Sequence, residues 1–116
     1  MNRVSLVGTL TAEPELHDRP DQEPRCRLEI SVGRRSRRGL AEPGIISVEV
    51  LTFGLEARDC ADRLSLGDVV AVAGRLERDE WTGPPAEGLV VLIDQIDFLG
   101  STRVTTPQPS APDPRP

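Results

Sequence analysis

Hydrophobic residues along this chain follow two periods. Val4, Leu6, Gly8 and Leu10 alternate with polar or exposed positions, which predicts a first strand. Thr11–Pro24 is rich in Pro, Asp and Glu and reads as a loop. From Arg25 the alternation resumes. Cys26, Leu28, Ile30 and Val32 point one way and Arg25, Arg27 and Glu29 the other, a second strand. Gly33–Gly44 reads as a hairpin loop carrying Arg34, Arg35, Arg37 and Arg38, and Ile45–Phe53 as a third strand. The period then changes. Ala57, Cys60, Ala61 and Leu64 fall at i, i+3, i+4 and i+7 and predict one short amphipathic helix. Gly67 is expected to end it by accepting a positive φ. Val69–Trp81 predicts a fourth strand, with Gly74 marking a bend or bulge. A Gly-Pro-Pro loop, Thr82–Gly88, leads to a fifth strand at Leu89–Leu99, apolar through Val90, Val91, Leu92, Ile93, Ile96 and Phe98.

Five short strands with a helix between the third and fourth predict an all-β fold, a five-stranded OB barrel. Residues 1–100 are expected to form this single domain. Residues 101–116 hold prolines and almost no large apolar groups. They bury too little surface to offset ordering entropy, so a disordered tail is expected. No run approaches the ~18 apolar residues of a membrane span. The opening segment does not read as a signal peptide, and a cytoplasmic, nucleoid-associated protein is expected.

Charge and rare residues narrow the function. Cys26 and Cys60 form no motif and read as small buried residues, and His17 stands alone in a polar loop. Neither a nucleophile–base set, a metal site nor a phosphate-binding glycine loop is present, which points away from an enzyme and from any cofactor. The net charge is −5, unevenly spread: +2 over residues 1–38 and −8 over residues 39–100. All the cations are arginines. An acidic total argues weakly against non-specific nucleic-acid binding, but a local basic stripe escapes that argument.

The segments NRVSLVGTLTAEPEL, SVEVLTFG, EARDCADRLSLGD and VVAVAGRL, followed by Trp81-Thr82, occur here in order. Together they make the chain resemble the bacterial single-stranded DNA-binding protein family over residues 2–100. The resemblance implies a non-catalytic protein that holds single-stranded DNA with little sequence preference, in replication, repair or recombination. Bases stack on aromatic rings and phosphates follow a basic groove, a mechanism that belongs to OB-fold single-strand binders generally and is carried over from them. Phe53 matches the family's stacking residue at a Phe-Gly step, the alternative being a core residue at the barrel end. Trp81 lies on the face of Arg75, Glu77 and Asp79, opposite the strand's apolar alternation of Val70, Val72, Gly74 and Leu76. It reads as a second platform or as a ring packed under a loop or subunit contact. Phe98 is assigned to the core. Arg34, Arg35, Arg37 and Arg38 are the first candidates for phosphate, since a guanidinium both pairs with phosphate and stacks on bases. Arg25, Arg27, Arg3 and Arg75 are the second rank.

The chain departs from the family at several contact positions. Ser47 stands where a Trp is common, and Glu49 where an Arg is common. Glu77, Asp79 and Glu80 stand where basic residues precede the Trp. These carboxylates are expected to repel phosphate. The tail also lacks the acidic tip through which family members recruit enzymes, so no such recruitment is expected. Family resemblance further implies a homodimer or homotetramer, and Val69, Ala71 and Ala73 are consistent with a partner surface. The competing reading is a degenerate OB module that pairs with a paralogue or replication factor instead of DNA.

Overall fold

The computed structural model describes residues 1–81 and 88–101. Most of the Thr82–Gly88 loop and the tail beyond residue 101 therefore lie outside the described residues. The elements in chain order are β1 (Val4–Leu10), β2 (Glu15–His17), β3 (Arg25–Arg35), β4 (Ala41–Phe53), α1 (Leu55–Arg63), β5 (Asp68–Arg78) and β6 (Leu89–Ser101). The sheet runs β1-β5-β6-β4-β3-β2, and a β1–β3 pairing closes it. All pairings are antiparallel except β4 with β6. This is the expected OB barrel, with its helix between the third and fourth long strands. One strand is additional. Within the segment expected to be loop, Glu15–His17 pairs with Arg25–Arg27.

The period-two pattern closes the core. Leu10, Cys26, Leu28, Ile30, Val50, Val70, Val72 and Val91 meet inside, and Ala57, Cys60 and Leu64 of the helical face plug one end. Burial pushes the Cys26 thiol up to about 11 and the Cys60 thiol up to about 12. Phe98 packs only partly against this cluster, and the Arg63 guanidinium covers its ring at 4.2 Å.

Four expectations need correction. The helix ends at Leu64, which is extended, and not at Gly67. Gly67, with φ of 94°, instead forms the Ser65–Asp68 turn and donates its N–H to the Leu10 carbonyl at 2.9 Å. The Gly33–Gly44 loop is mostly strand. β3 and β4 stay paired out to Arg35 and Ala41, and only the Ser36–Leu40 turn reverses the chain, with Gly39 at positive φ. β5 stops at Arg78, so Trp81 stands beyond it. Leu76 is 43% exposed although it lies opposite the core residue Val91; the residue left over at the register slip, Asp94, is on β6, so β5 keeps its alternation. A Cβ on Gly74 would lie 1.8 Å from the Leu92 carbonyl oxygen, which is why a glycine stands at this bulge.

Candidate nucleic-acid interface

The outward face of β3 and β4 carries the candidate residues in register. Arg25 lies opposite Phe53, Arg27 opposite Leu51, Glu29 opposite Glu49, and Ser31 opposite Ser47. Past Phe53, Gly54 takes a φ of 72° and turns the chain into α1. The Gly54 N–H reaches back to the Pro24 carbonyl at 2.8 Å, drawing the β2–β3 connection beside the ring.

Trp81 joins this end from the far side of the barrel. Its ring meets that of Phe53 edge-on, with centroids 5.5 Å apart and planes at 61°. That is a favoured aromatic geometry and leaves ring faces turned away from each other. The Trp81 carbonyl accepts a hydrogen bond from Arg25 Nη2 at 3.0 Å. Its N–H donates to Asp79 Oδ1 at 3.1 Å. Beside the two rings lies a depression of about 570 Å³, walled by Arg19, Gln22, Glu23, Arg25 and Glu80. Arg19, Gln22 and Glu23 come from the loop that sequence reasoning passed over. Their only signal was position just before a strand bearing candidate arginines.

Phe53, Trp81 and Arg25 thus form one cluster, and Arg27 adjoins it in a different capacity. The Arg27 guanidinium pairs with Glu49 on one side and with Asp79 on the other, at 3.1 Å to Oδ2, and the Arg27 and Asp79 side chains are each only 14% exposed. Asp79 therefore does not stand as an isolated charge. The hairpin arginines form a second group. From Arg25 to Arg34, β3 runs nine residues, about 30 Å at ~3.3 Å per residue. Arg34 lies 3.7 Å from Glu42. Arg35, Arg37 and Arg38 have no carboxylate partner among the described residues. Between the groups sit Ser31, Ser47 and the opposed Glu29 and Glu49, an uninviting stretch for a polyanion.

Arg3 and Arg75 lie apart from both groups, next to the Val4–Gly74 rung of the β1–β5 ladder. Arg3 is exposed, and Arg75 pairs with Glu77 at 3.1 Å and Asp94 at 3.0 Å. On the outside of that ladder, Ala71 and Ala73 border a shallow hollow together with Ser5 and Val7, which is 58% exposed. Among the described residues no group of His, Cys, Asp and Glu could hold a metal ion.

Comparison with known proteins agrees with this fold. The family model described as single-strand binding protein family matches residues 1–99. A single-stranded DNA-binding protein of Thermosynechococcus vestitus is 30% identical over 111 residues, covering 92% of this chain and 89% of the relative. The single-stranded DNA-binding protein of Thermus aquaticus is 37% identical over 87 residues, 75% of this chain but 32% of its own length. The crystal structure of the wild-type Thermus aquaticus protein superposes with a TM-score of 0.70 at 28% identity, over 85% of this chain, which spans half of that one. A small single-stranded DNA-binding protein from Streptomyces coelicolor shares the fold, with a TM-score of 0.68 at 21% identity, over 84% of this chain and 91% of that one.

Proposed function

The chain belongs to the single-strand binding protein family, and from that premise we propose that it binds single-stranded DNA with little sequence preference and without catalysis. The observation that carries this reading is the Phe53–Trp81 pair, edge to face at 5.5 Å beside a depression of about 570 Å³. Two rings set at an angle offer a base a π-surface, which every base can use. Arg25 at the same end and Arg35, Arg37 and Arg38 on the hairpin supply cations for phosphate. Arg34 contributes less because Glu42 faces it, and Arg3 and Arg75 serve only a strand that wraps on to the β1–β5 ladder. The setting is the cytoplasmic nucleoid during replication, repair or recombination. Among the described residues no helix is long and apolar enough to cross a membrane. The exposed Val7 beside Ala71 and Ala73 is the surface we assign to pairing in a homodimer or homotetramer.

A second reading draws on one specific observation. Glu29 faces Glu49, and Arg27 is already occupied by carboxylates, so the middle of the face suits DNA poorly. This favours an OB module that pairs with a paralogue or replication factor. Titrating oligo-dT at low and moderate salt while following Trp81 fluorescence separates the two. Single-strand binding predicts quenching whose midpoint moves to higher protein concentration with salt. A flat titration at low salt refutes it and leaves the interaction module.

A further inference from the structure

Read as charge alone, Asp79 stands two residues before a stacking ring and opposes the phosphates that would pass there. Its contacts give it another task. Asp79 Oδ1 accepts the Trp81 N–H at 3.1 Å, closing a turn from an aspartate to the backbone two residues on. The Asp79 N–H donates to the Gly88 carbonyl at 3.0 Å, so the residue is fixed at the mouth of the β5–β6 hairpin. Arg27 Nη2 holds the same carboxylate at 3.1 and 3.4 Å, and Glu49 holds Arg27 from the other side. Trp81 itself lies outside β5 and gains no support from the strand ladder. Its backbone is instead gripped at two points by side chains: Asp79 takes the N–H, and Arg25 of β3 takes the carbonyl at 3.0 Å.

We propose that Asp79 is a positioning residue for the Trp81 platform, anchored by Arg27, and that neither side chain acts on the phosphates. The proposal rests on the single-strand binding reading above. A ring on a free connection must be ordered each time a base stacks, and that ordering weakens binding. Asp79 and Arg27 supply the order before the ligand arrives. The carboxylate's charge is meanwhile spent on Arg27, so the acidic residue at this position costs little repulsion.

The two roles predict opposite signs. Removing a repelling carboxylate tightens binding, whereas removing a positioning one weakens it. Asp79→Ala is expected to weaken oligo-dT binding by about tenfold, the scale of one charge-assisted hydrogen bond. Its salt slope should match wild type, because no phosphate contact is lost. Asp79→Asn keeps an acceptor for the Trp81 N–H and should recover part of the loss. Glu80→Gln removes the same unit of charge one residue along, from a side chain with no partner among the described residues, and should tighten binding. Arg27→Gln releases Asp79 without altering it. It should weaken binding with an unchanged slope and keeps the test open if Asp79→Ala folds poorly.

One readout needs no DNA. The chain has one Trp and no Tyr, so the near-ultraviolet circular dichroism of the free protein reports Trp81. Asp79→Ala and Arg27→Gln should diminish that band while the far-ultraviolet spectrum stays intact. An undiminished band, or an Asp79→Ala variant that tightens as Glu80→Gln does, overturns the proposal. A wild-type chain with no affinity for oligo-dT would refute the single-strand reading, and the near-ultraviolet band would still decide the positioning.

Discussion

Replacing Trp81 with Ala is a clean test of the stacking site, because the anchors of this residue are backbone atoms. The N–H to Asp79 and the carbonyl to Arg25 both survive the substitution, so the connection keeps its course and only the indole is lost. Stacking of a base on an aromatic ring is worth about 1–3 kcal/mol, which corresponds to a loss of affinity of roughly 5- to 150-fold. The structure places the expectation in the upper part of that range. Phe53 touches Trp81 edge-on, so the substitution also removes the neighbour that fixes the Phe53 ring. The same lost pair should lower folding stability by about 0.5–1.5 kcal/mol. The assay is fluorescence anisotropy of a labelled oligo-dT, since the variant has no Trp of its own, with urea unfolding run alongside. The salt slope should stay unchanged, because an indole carries no charge. Trp81→Phe should retain much of the affinity. An Ala variant that binds like wild type at every salt concentration would show that the ring is only structural, and the stacking assignment would fall.

Three other outcomes follow from the geometry. Arg35, Arg37 and Arg38 lack carboxylate partners among the described residues, so changing all three to Gln should flatten the log–log salt dependence by about 2, at ~0.7 per phosphate; an unaltered slope removes the hairpin from the interface. Gly74→Ala forces a methyl group into the backbone of the neighbouring strand, 1.8 Å from the Leu92 oxygen, and should cost about 3 kcal/mol or more in urea unfolding; a loss below ~1 kcal/mol would contradict the bulge. Burial holds the folded thiols of Cys26 and Cys60 at about 11 and 12, above the unfolded value of 9.0. Unfolding therefore releases protons above pH 9, so their contribution is complete below that pH and is lost as pH rises towards 11–12. Cys26→Ala/Cys60→Ala should show a shallower alkaline loss of stability than wild type, although it starts lower.

Much of the barrel was legible because one face of each long strand is buried, and burial writes itself into a sequence as alternation. Cys26, Leu28 and Ile30 on β3 and Val70 and Val72 on β5 point inward as their spacing requires. Gly74 was readable as a bulge position, but not that the extra residue, Asp94, falls on the partner strand β6. Leu76 was expected on the buried face and lies opposite the core residue Val91, yet it is half-exposed. The hairpin arm was misread as loop because its glycines, Pro43 and arginines carry no burial pattern. That arm extends past the core, where neither face needs to be apolar. At the site, the rings of Phe53 and Trp81 could be named from the chain, but their contact could not. Asp79 shows the limit most directly. Its charge is visible in the sequence, and the sign of its effect depends on Arg27, 52 positions away.

The hydrogen-bond ladders of this barrel are unequal, and that gives it a direction of breathing. β1, β5 and β6 are joined along long registers and form one leaf, while β2, β3 and β4, with α1 lying on them, form another. Among the described residues the backbone ladders between the leaves are two short seams: Thr9 and Leu10 to Ser31 and Ile30, carried on by Thr11 to Glu29, and Val50 and Leu51 to Val91 and Leu92. The side chains of Arg25 and Arg27 add ties to Trp81 and Asp79. The easiest excursion of the native state is then a partial parting of the leaves, seen as faster amide exchange along the seams than at the centre of either leaf. Phe53 and Arg25 ride on one leaf, and Trp81 follows from the other. A strand of DNA held between them fastens the covers together, so its binding should slow exchange at Val50, Leu51, Val91 and Leu92, residues it never touches.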